Sequence, residues 1–271
     1  MAESSHRTLG SLTLDGVGDD LDDPARLVCA VGGEAMADFL EQGSVARRVT
    51  AEPALLLGAG RALLMQLAHP AVAQGVWDHS DFRRSPFRRL QGTLEAMNAV
   101  VFGSEELAGR VGEGAHRVHE FIVGPSYRAN DPQNLLWVHA TLIDSALLSY
   151  TTFVGPLTDD EREDFYQDMT RVAGVFGCPR EAQPNTYADF YGYVGEMIDS
   201  LVVTEVGRRL GRDIVRPRFQ RPLAVVLGPA VGLHRLFTLG MTPERLREQF
   251  GLDWDERSGV VTSEPNVSSV E

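Results

Sequence analysis

The sequence contains no lysine, since all 25 of its basic residues are arginine. This absence excludes chemistry that needs a side-chain amine, such as a Schiff base, attachment of pyridoxal phosphate or a P-loop lysine. Cysteine is scarce as well. Cys29 and Cys178 lie far apart and outside any CxxC pattern, so they could be two thiols or one disulfide. A structural zinc site and a covalently attached c-type haem are both disfavoured.

Positive charge and long apolar runs are also lacking. The formal net charge of -13 argues against a nucleic-acid partner, because neutralising phosphates requires clustered basic residues. The longest apolar stretches, 54–68 and 222–233, are too short or too interrupted to span a bilayer. No secretory signal is visible at the N-terminus. We therefore expect a cytoplasmic protein without a transmembrane segment.

Strict alternation of apolar and polar residues is hard to find, whereas apolar residues recur at the 3.6-residue spacing of helices. The sequence predicts a single all-α domain of about ten helices over residues 24–254. The flanking segments 1–23 and 255–271 are polar and aperiodic, which is typical of mobile tails. The predicted helices span residues 23–40, 53–68, 86–101, 104–123, 135–153, 161–176, 186–201, 204–210, 223–239 and 242–250.

Five of the seven histidines lie between residues 69 and 139. Imidazole is the side chain best suited to metal ligation and to proton transfer near neutral pH. His116 and His119 are three residues apart, so on a helix they project about 60° from each other and could line one wall of a cavity. One interpretation is a metal or haem ligand with a supporting neighbour; the other is one core and one surface histidine.

The remaining three histidines of this stretch have structural explanations. His139 lies on an otherwise apolar helical face, where we expect it to be buried with a structural hydrogen bond. His69 precedes a proline at a predicted helix break, and His79 lies in a polar connection. Glu113 and His116 form one Glu-x-x-His pair. Ferritin-like di-iron centres use two such pairs, so the single pair makes a di-iron site a weak alternative.

Three further polar residues are candidates for a binding site. Arg61 lies in an apolar helix and needs an anionic or polar partner, either Asp144, buried carbonyl groups or a cofactor carboxylate. Arg89 and Thr93 are four residues apart, so they could reach the same bound group, or they could be a solvated arginine and an ordinary helix threonine. No nucleophile elbow, Rossmann glycine pattern or P-loop is present. Any chemistry must therefore come from His, Arg, Thr and a bound cofactor.

Four short segments occur in a characteristic order along the chain. They are GRALLMQLAHP (60–70), DHS (78–80), ANDP (129–132) and LWVHAT (136–141). This order resembles the MpaB-type oxygenase family, which includes the catalytic domain of rubber oxygenase (latex clearing protein) and many bacterial members of unknown function. The resemblance extends over roughly residues 53–210.

The resemblance implies an all-α domain with a globin-like core. In the characterised oxygenases of the family, a b-type haem activates dioxygen to cleave an isoprenoid C=C bond. In rubber oxygenases an arginine and a threonine four residues apart line the haem pocket, and a downstream helix supplies the axial histidine. Arg89, Thr93 and His119 are similar to those positions, and His116 is similar to a second histidine one turn earlier.

Two positions depart from the rubber oxygenase pattern. Gly92 stands where a lysine can occupy the distal side of the haem, and Val123 stands where an arginine follows the axial histidine by one turn. These departures leave room for an open iron position, for a different substrate or for a protein without haem.

The resulting prediction is a haem b-dependent oxygenase or oxidoreductase, monomeric or homodimeric, that uses dioxygen on a hydrophobic, isoprenoid-like small molecule. His119 is the predicted iron ligand, and Arg89, Thr93 and His116 are the predicted catalytic residues. Arg61, Arg89, Thr93 and His119 are the predicted cofactor-binding residues. A non-catalytic helical protein that binds an apolar ligand and a non-haem iron oxidoreductase are the alternatives.

Overall fold

The computed structural model describes residues 37–79, 86–217, 223–252 and 254, with side chains for all of these except 86–90 and 223–227. Over these ranges the chain is almost entirely helical, which confirms the all-α prediction; the globin-like core stays a prediction. The helices are α1 (Val45–Thr50), α2 (Leu55–Ala68), α3 (Pro70–His79), α4 (Pro86–Phe102), α5 (Glu105–Glu120), α6 (Pro132–Phe153), α7 (Asp159–Val175), α8 (Tyr187–Ser200), α9 (Glu205–Val215), α10 (Leu223–Met241) and α11 (Glu244–Phe250).

Between α5 and α6 the chain forms a short antiparallel hairpin of β1 (Val123–Gly124) and β2 (Tyr127–Arg128). The sequence predicted that the preceding helix continues to Val123, and this prediction is wrong. The helix ends at Glu120, and the Phe121 amide bonds back to the Val118 carbonyl in a tighter last turn. A short 3-10 turn, Arg180–Ala182, lies between α7 and α8.

Side chains cap the first turn of several of the predicted helices. Ser104 accepts a hydrogen bond from the amide three residues later, at 3.3 Å. The Asp131 carboxylate accepts one from the Gln133 amide at 2.9 Å, and Pro132 occupies the first turn. Thr158 and Glu161 cap each other's backbone amides in a capping box. These caps satisfy amides that have no partner within the helix, so each helix starts at a defined residue.

Other boundaries differ from the prediction. Residues 37–40, the described end of the helix predicted over 23–40, are not helical; there the Phe39 amide bonds to the Gly103 carbonyl. Residues 23–36, both predicted tails and Cys29 lie outside the described residues. The helix break at His69 is confirmed, because the residue before Pro70 is extended (φ -79°, ψ 123°).

Helix α2 lies at the centre of the fold and contacts α6, α9 and α10. Two glycines permit this close packing. A Cβ on Gly58 would overlap the Ser149 hydroxyl of α6, and one on Gly60 would overlap Thr238 of α10. Trp137 of α6 is fully buried, and its indole N–H donates to the Met65 carbonyl at 3.0 Å. These contacts fix α6 against α2 and so position one wall of the cavity described next.

Among the described helices, no single one is long and apolar enough to cross a membrane. The consecutive helices α2 and α3 meet the length and composition criteria only when taken together, and the chain bends by 102° between them.

Candidate functional site

A cavity of about 670 Å³ lies among α3, α4, α5, α6 and the hairpin. Its volume falls within the range of cofactor and small-molecule sites. Most of its wall is apolar, with Val72, Val76, Met97, Leu142 and Phe176 among the lining side chains. The polar or ionisable residues that line it, among those described, are Gln66, His79, Thr93, His119, Tyr127, Arg128, Asn134 and His139.

Helix α5 brings His119 to this cavity. Val111, Ala115 and His119 follow one another at four-residue spacing, and all three line the wall, so they form one face of the helix. The same helix approaches α7 at Gly112, where a Cβ would overlap the Val175 carbonyl. This close contact fixes α5, and His119 is held half-buried at the cavity.

His116 lies elsewhere on the same helix. Its side chain is 55% exposed, and its Nε2 lies 3.6 Å from the Glu120 carboxylate. The structure therefore does not bring His116 and His119 to one wall, because the angle between them turns His116 towards solvent. Glu113 is also exposed and lies 3.8 Å from Arg117, so the Glu-x-x-His pair is on the surface. Within the ranges described, no three or more His, Cys, Asp or Glu residues are grouped to hold a metal ion.

Helix α4 contributes Thr93 and Gly92 to the cavity. A Cβ on Gly92 would meet no other atom within 4 Å, so the glycine leaves open space where rubber oxygenases can have a lysine. Arg89 belongs to the same helix, but its side chain lies outside the described part. Val123, the second departure, does not reach the cavity wall; its carbonyl lies 3.1 Å from His79 Nε2.

Arg61 is buried and bonded entirely within the protein. Its Nε donates to the Met241 carbonyl and one terminal nitrogen donates to the Ser145 hydroxyl, both at 2.8 Å. The other terminal nitrogen lies 2.6 Å from the Asp144 carboxylate. Two of the three expected kinds of partner, Asp144 and a buried carbonyl, are therefore present. Arg61 does not line the cavity, so the structure does not bring it to His119 and Thr93.

His139 reaches the cavity from α6 and is only 5% exposed. Its ring lies against Phe176, with 5.4 Å between the centroids. Burial and, as a smaller contribution, the nearby His119 lower the pKa of His139 to about 4, so the imidazole is neutral at pH 7. The structural hydrogen bond expected from the sequence is not seen at Nδ1, which is buried without a partner among the described residues.

The hairpin carries two cavity residues, Tyr127 and Arg128, that were not predicted from the sequence. Burial, followed by a hydrogen bond to Asp78 at 2.7 Å, raises the pKa of Tyr127 to about 12. The same hydrogen bond lowers the pKa of the Asp78 carboxyl. This contact ties the hairpin to α3 across the cavity. The sequence feature that could have predicted the hairpin is the Gly124-Pro125 turn between Val123 and Tyr127, because such a turn favours a hairpin rather than a helix end alone.

Comparison with known proteins identifies a family and relatives of the chain. Residues 46–263 match the family described as ER-bound oxygenase mpaB/B'/Rubber oxygenase, catalytic domain. The chain is also 28% identical over 204 residues to two uncharacterized proteins, one from Mycobacterium bovis and one from Mycobacterium tuberculosis; the matched region covers 72% of this chain and 79% of each relative. No solved structure matches the chain. The chain therefore belongs to the mpaB and rubber oxygenase catalytic-domain family, and this membership supports oxygenase activity in general.

Proposed function

We propose that this protein is a haem b-dependent oxygenase that acts on a hydrophobic, isoprenoid-like small molecule, with His119 as the iron ligand. The observation that carries the proposal is the position of His119 on the wall of a largely apolar cavity of about 670 Å³. Thr93 of the neighbouring helix lines the same cavity. Thr93 and the downstream His119 also resemble the pocket threonine and the axial histidine of rubber oxygenases.

The residues present fit a b-type haem. The porphyrin supplies four nitrogen ligands, so the protein needs to supply only one, and His119 is an imidazole that reaches the cavity. The apolar side chains from α3, α4 and α6 suit the faces of a macrocycle. Arg128 and Asn134 line the same cavity and could bind the carboxylates of the haem. When bound, the haem supplies the activation of dioxygen.

The chain's own residues then bind and orient the reactants. The apolar wall favours a hydrocarbon substrate and excludes bulk water from it. Thr93 contributes a hydroxyl that can hold a proton near the reacting groups, and Arg89, from the preceding turn of α4, is proposed as its cationic partner. His116 is left out of this arrangement because its side chain is exposed beside Glu120.

The iron-ligand assignment is tested by titrating haem-free protein with haem and recording the Soret band. We expect saturation at one haem per chain, and we expect His119→Ala to weaken or shift the band because the iron loses its protein ligand. His116→Ala is the matched control, since it removes an exposed imidazole from the same helix. A wild type without a Soret band contradicts the haem proposal, and an unchanged spectrum in His119→Ala contradicts the ligand assignment.

A second candidate is a helical protein that binds an apolar ligand without redox chemistry. It is favoured by the apolar wall and by Gly92, which leaves open space in place of a polar group. Quantifying iron after expression with ample iron and haem precursor separates the candidates. Iron at one equivalent per chain excludes the pure binding protein, and iron without porphyrin absorption indicates a non-haem site.

A further inference from the structure

We propose that His139 is the hydrogen-bonding group for a small polar ligand held in the cavity beside His119. The inference rests on the proposed function, because that function defines what enters the cavity. It adds a binding residue outside the positions that the family resemblance assigned to the haem pocket. His139 comes from a different helix than His119 and lines the same space.

The main observation is that a buried polar atom of His139 lacks a partner. Only 5% of the residue is exposed, yet Nδ1 bonds to none of the described residues. A buried polar group without a partner is costly and therefore uncommon. An occupant of the cavity that offers a polar atom would remove this cost.

Three other buried polar side chains of α6 form hydrogen bonds within the protein. The Trp137 N–H donates to the Met65 carbonyl at 3.0 Å, and the Thr141 hydroxyl donates to the Val138 carbonyl at 2.7 Å. Ser149 likewise donates to the Ser145 carbonyl at 2.8 Å. The missing partner at His139 is therefore not a general property of this helix. It occurs at a residue that lines the cavity.

The surroundings of His139 point to a ligand rather than to another side chain. Leu135, Val138 and Leu142 of the same helix line the cavity around it, and Phe176 lies against its ring. These four neighbours offer no polar side-chain atom, and the polar side chain close by, His119, is assigned to the iron in the proposed function. A neutral imidazole has one donor and one acceptor nitrogen, so it can donate to a small anion or to a diatomic ligand.

Cyanide and carbon monoxide are the probes that test this role on the full-length protein reconstituted with haem. The variants are His139→Leu, which removes the hydrogen bond, and His139→Gln, which keeps a donor. We expect His139→Leu to weaken cyanide binding to the ferric protein roughly 10- to 100-fold, which corresponds to losing a hydrogen bond to a charged group. We expect the C–O stretching frequency of the reduced, CO-treated protein to rise. His139→Gln should recover part of both effects.

Thr141→Val is the matched control, because it removes a buried hydroxyl of the same helix that bonds to its own backbone. It should leave cyanide affinity and the C–O stretch unchanged. Circular dichroism on every variant establishes folding. If His139→Leu does not fold, the C–O stretching frequencies of His139→Gln and Thr141→Val are compared instead. The proposal then requires that these two frequencies differ.

The outcomes separate this inference from the proposed function. A wild type that binds no haem overturns both. A normal Soret band with cyanide affinity unchanged in His139→Leu overturns the inference alone. A low-spin, two-imidazole spectrum in the wild type that becomes high-spin in His139→Leu also overturns it, because His139 would then be an iron ligand and not a hydrogen-bond donor.

Discussion

At the scale of single residues, Arg61 shows how a buried charge can belong to the fold. The guanidinium is fully engaged by a carboxylate, a hydroxyl and a backbone carbonyl on α6 and at the end of α10. These three bonds join the central helix to two of its neighbours. Arg61 therefore has its anionic partner inside the protein, so it does not need the cofactor carboxylate that the sequence left as one possibility.

We predict that Arg61→Met lowers the free energy of unfolding by roughly 3–5 kcal/mol, because it leaves the Asp144 carboxylate in a poorly solvated site without its cation. Urea unfolding followed by circular dichroism measures this loss. Arg110→Met is the control, since Arg110 pairs with Glu106 on the surface, and it should change stability by less than about 1 kcal/mol. Equal losses in both variants would show that the pair at Arg61 is not a structural ion pair.

The two histidines of α5 are three residues apart and have different surroundings. His119 follows Val111 and Ala115 on the cavity face, whereas His116 lies one turn earlier and to one side, next to Glu120. The sequence could show that both were candidates. Which of them faces the cavity depends on the rotation of α5 about its own axis, and contacts with other helices set that rotation.

At the scale of elements, the glycines of α4 and α5 differ in what surrounds them. Gly112 lies where α5 touches the Val175 carbonyl of α7, so a side chain there would force the two helices apart. Gly92 lies inside α4 with open space around its missing Cβ. One glycine is required by packing and the other is not.

We predict opposite effects for alanine at these two positions. Gly92→Ala should raise the free energy of unfolding by roughly 0.5–1 kcal/mol, because alanine loses less backbone entropy in a helix. Gly112→Ala should lower it by roughly 1–3 kcal/mol through overpacking. Thermal and urea unfolding of the two variants measure the difference. Stabilisation by Gly112→Ala would contradict the close contact of α5 with α7.

At the scale of the whole molecule, burial keeps several histidines uncharged. Desolvation lowers the pKa values of His69, His139 and His234, with that of His139 at about 4. The unfolded chain takes up protons near pH 6.5, whereas the folded protein does so only at lower pH. The folded state therefore loses stability as the pH falls from about 6.5 towards 4. Burial raises the pKa of Asp168, so the folded protein takes up this proton at a higher pH than the unfolded chain does. This group therefore adds stability as the pH falls and opposes the effect of the histidines.

We predict that the free energy of unfolding of the haem-free protein, measured with urea, falls between pH 7 and pH 5 by up to roughly 1.4 kcal/mol per pH unit for each such histidine. His234→Leu should make the decline shallower, because it removes one group that the unfolded state protonates. His116→Ala, a surface substitution, serves as the comparison. A decline of the same slope in all three proteins would mean that other groups take up the protons.

Much of the molecule could be predicted from local chemistry. The caps at Ser104, Asp131 and Thr158 and the break before Pro70 depend on neighbouring residues alone, so the sequence located most helices. The helix predicted to Val123 failed because its end and the following hairpin depend on a contact between Tyr127 and the distant Asp78. Pairing over such a distance leaves little trace in local periodicity.

The sequence by itself determined the helical class, the family and the set of histidines, because helix periodicity, capping and motif order are properties of short segments. Only the tertiary structure decided which polar residues meet. It placed His119, Thr93 and His139 on one cavity, directed His116 to solvent and engaged Arg61 in the core. The physical reason is that the packing of α2, α5 and α6 through small residues such as Gly58 and Gly112 sets the position of each helix. That packing is a relation between segments far apart in the chain.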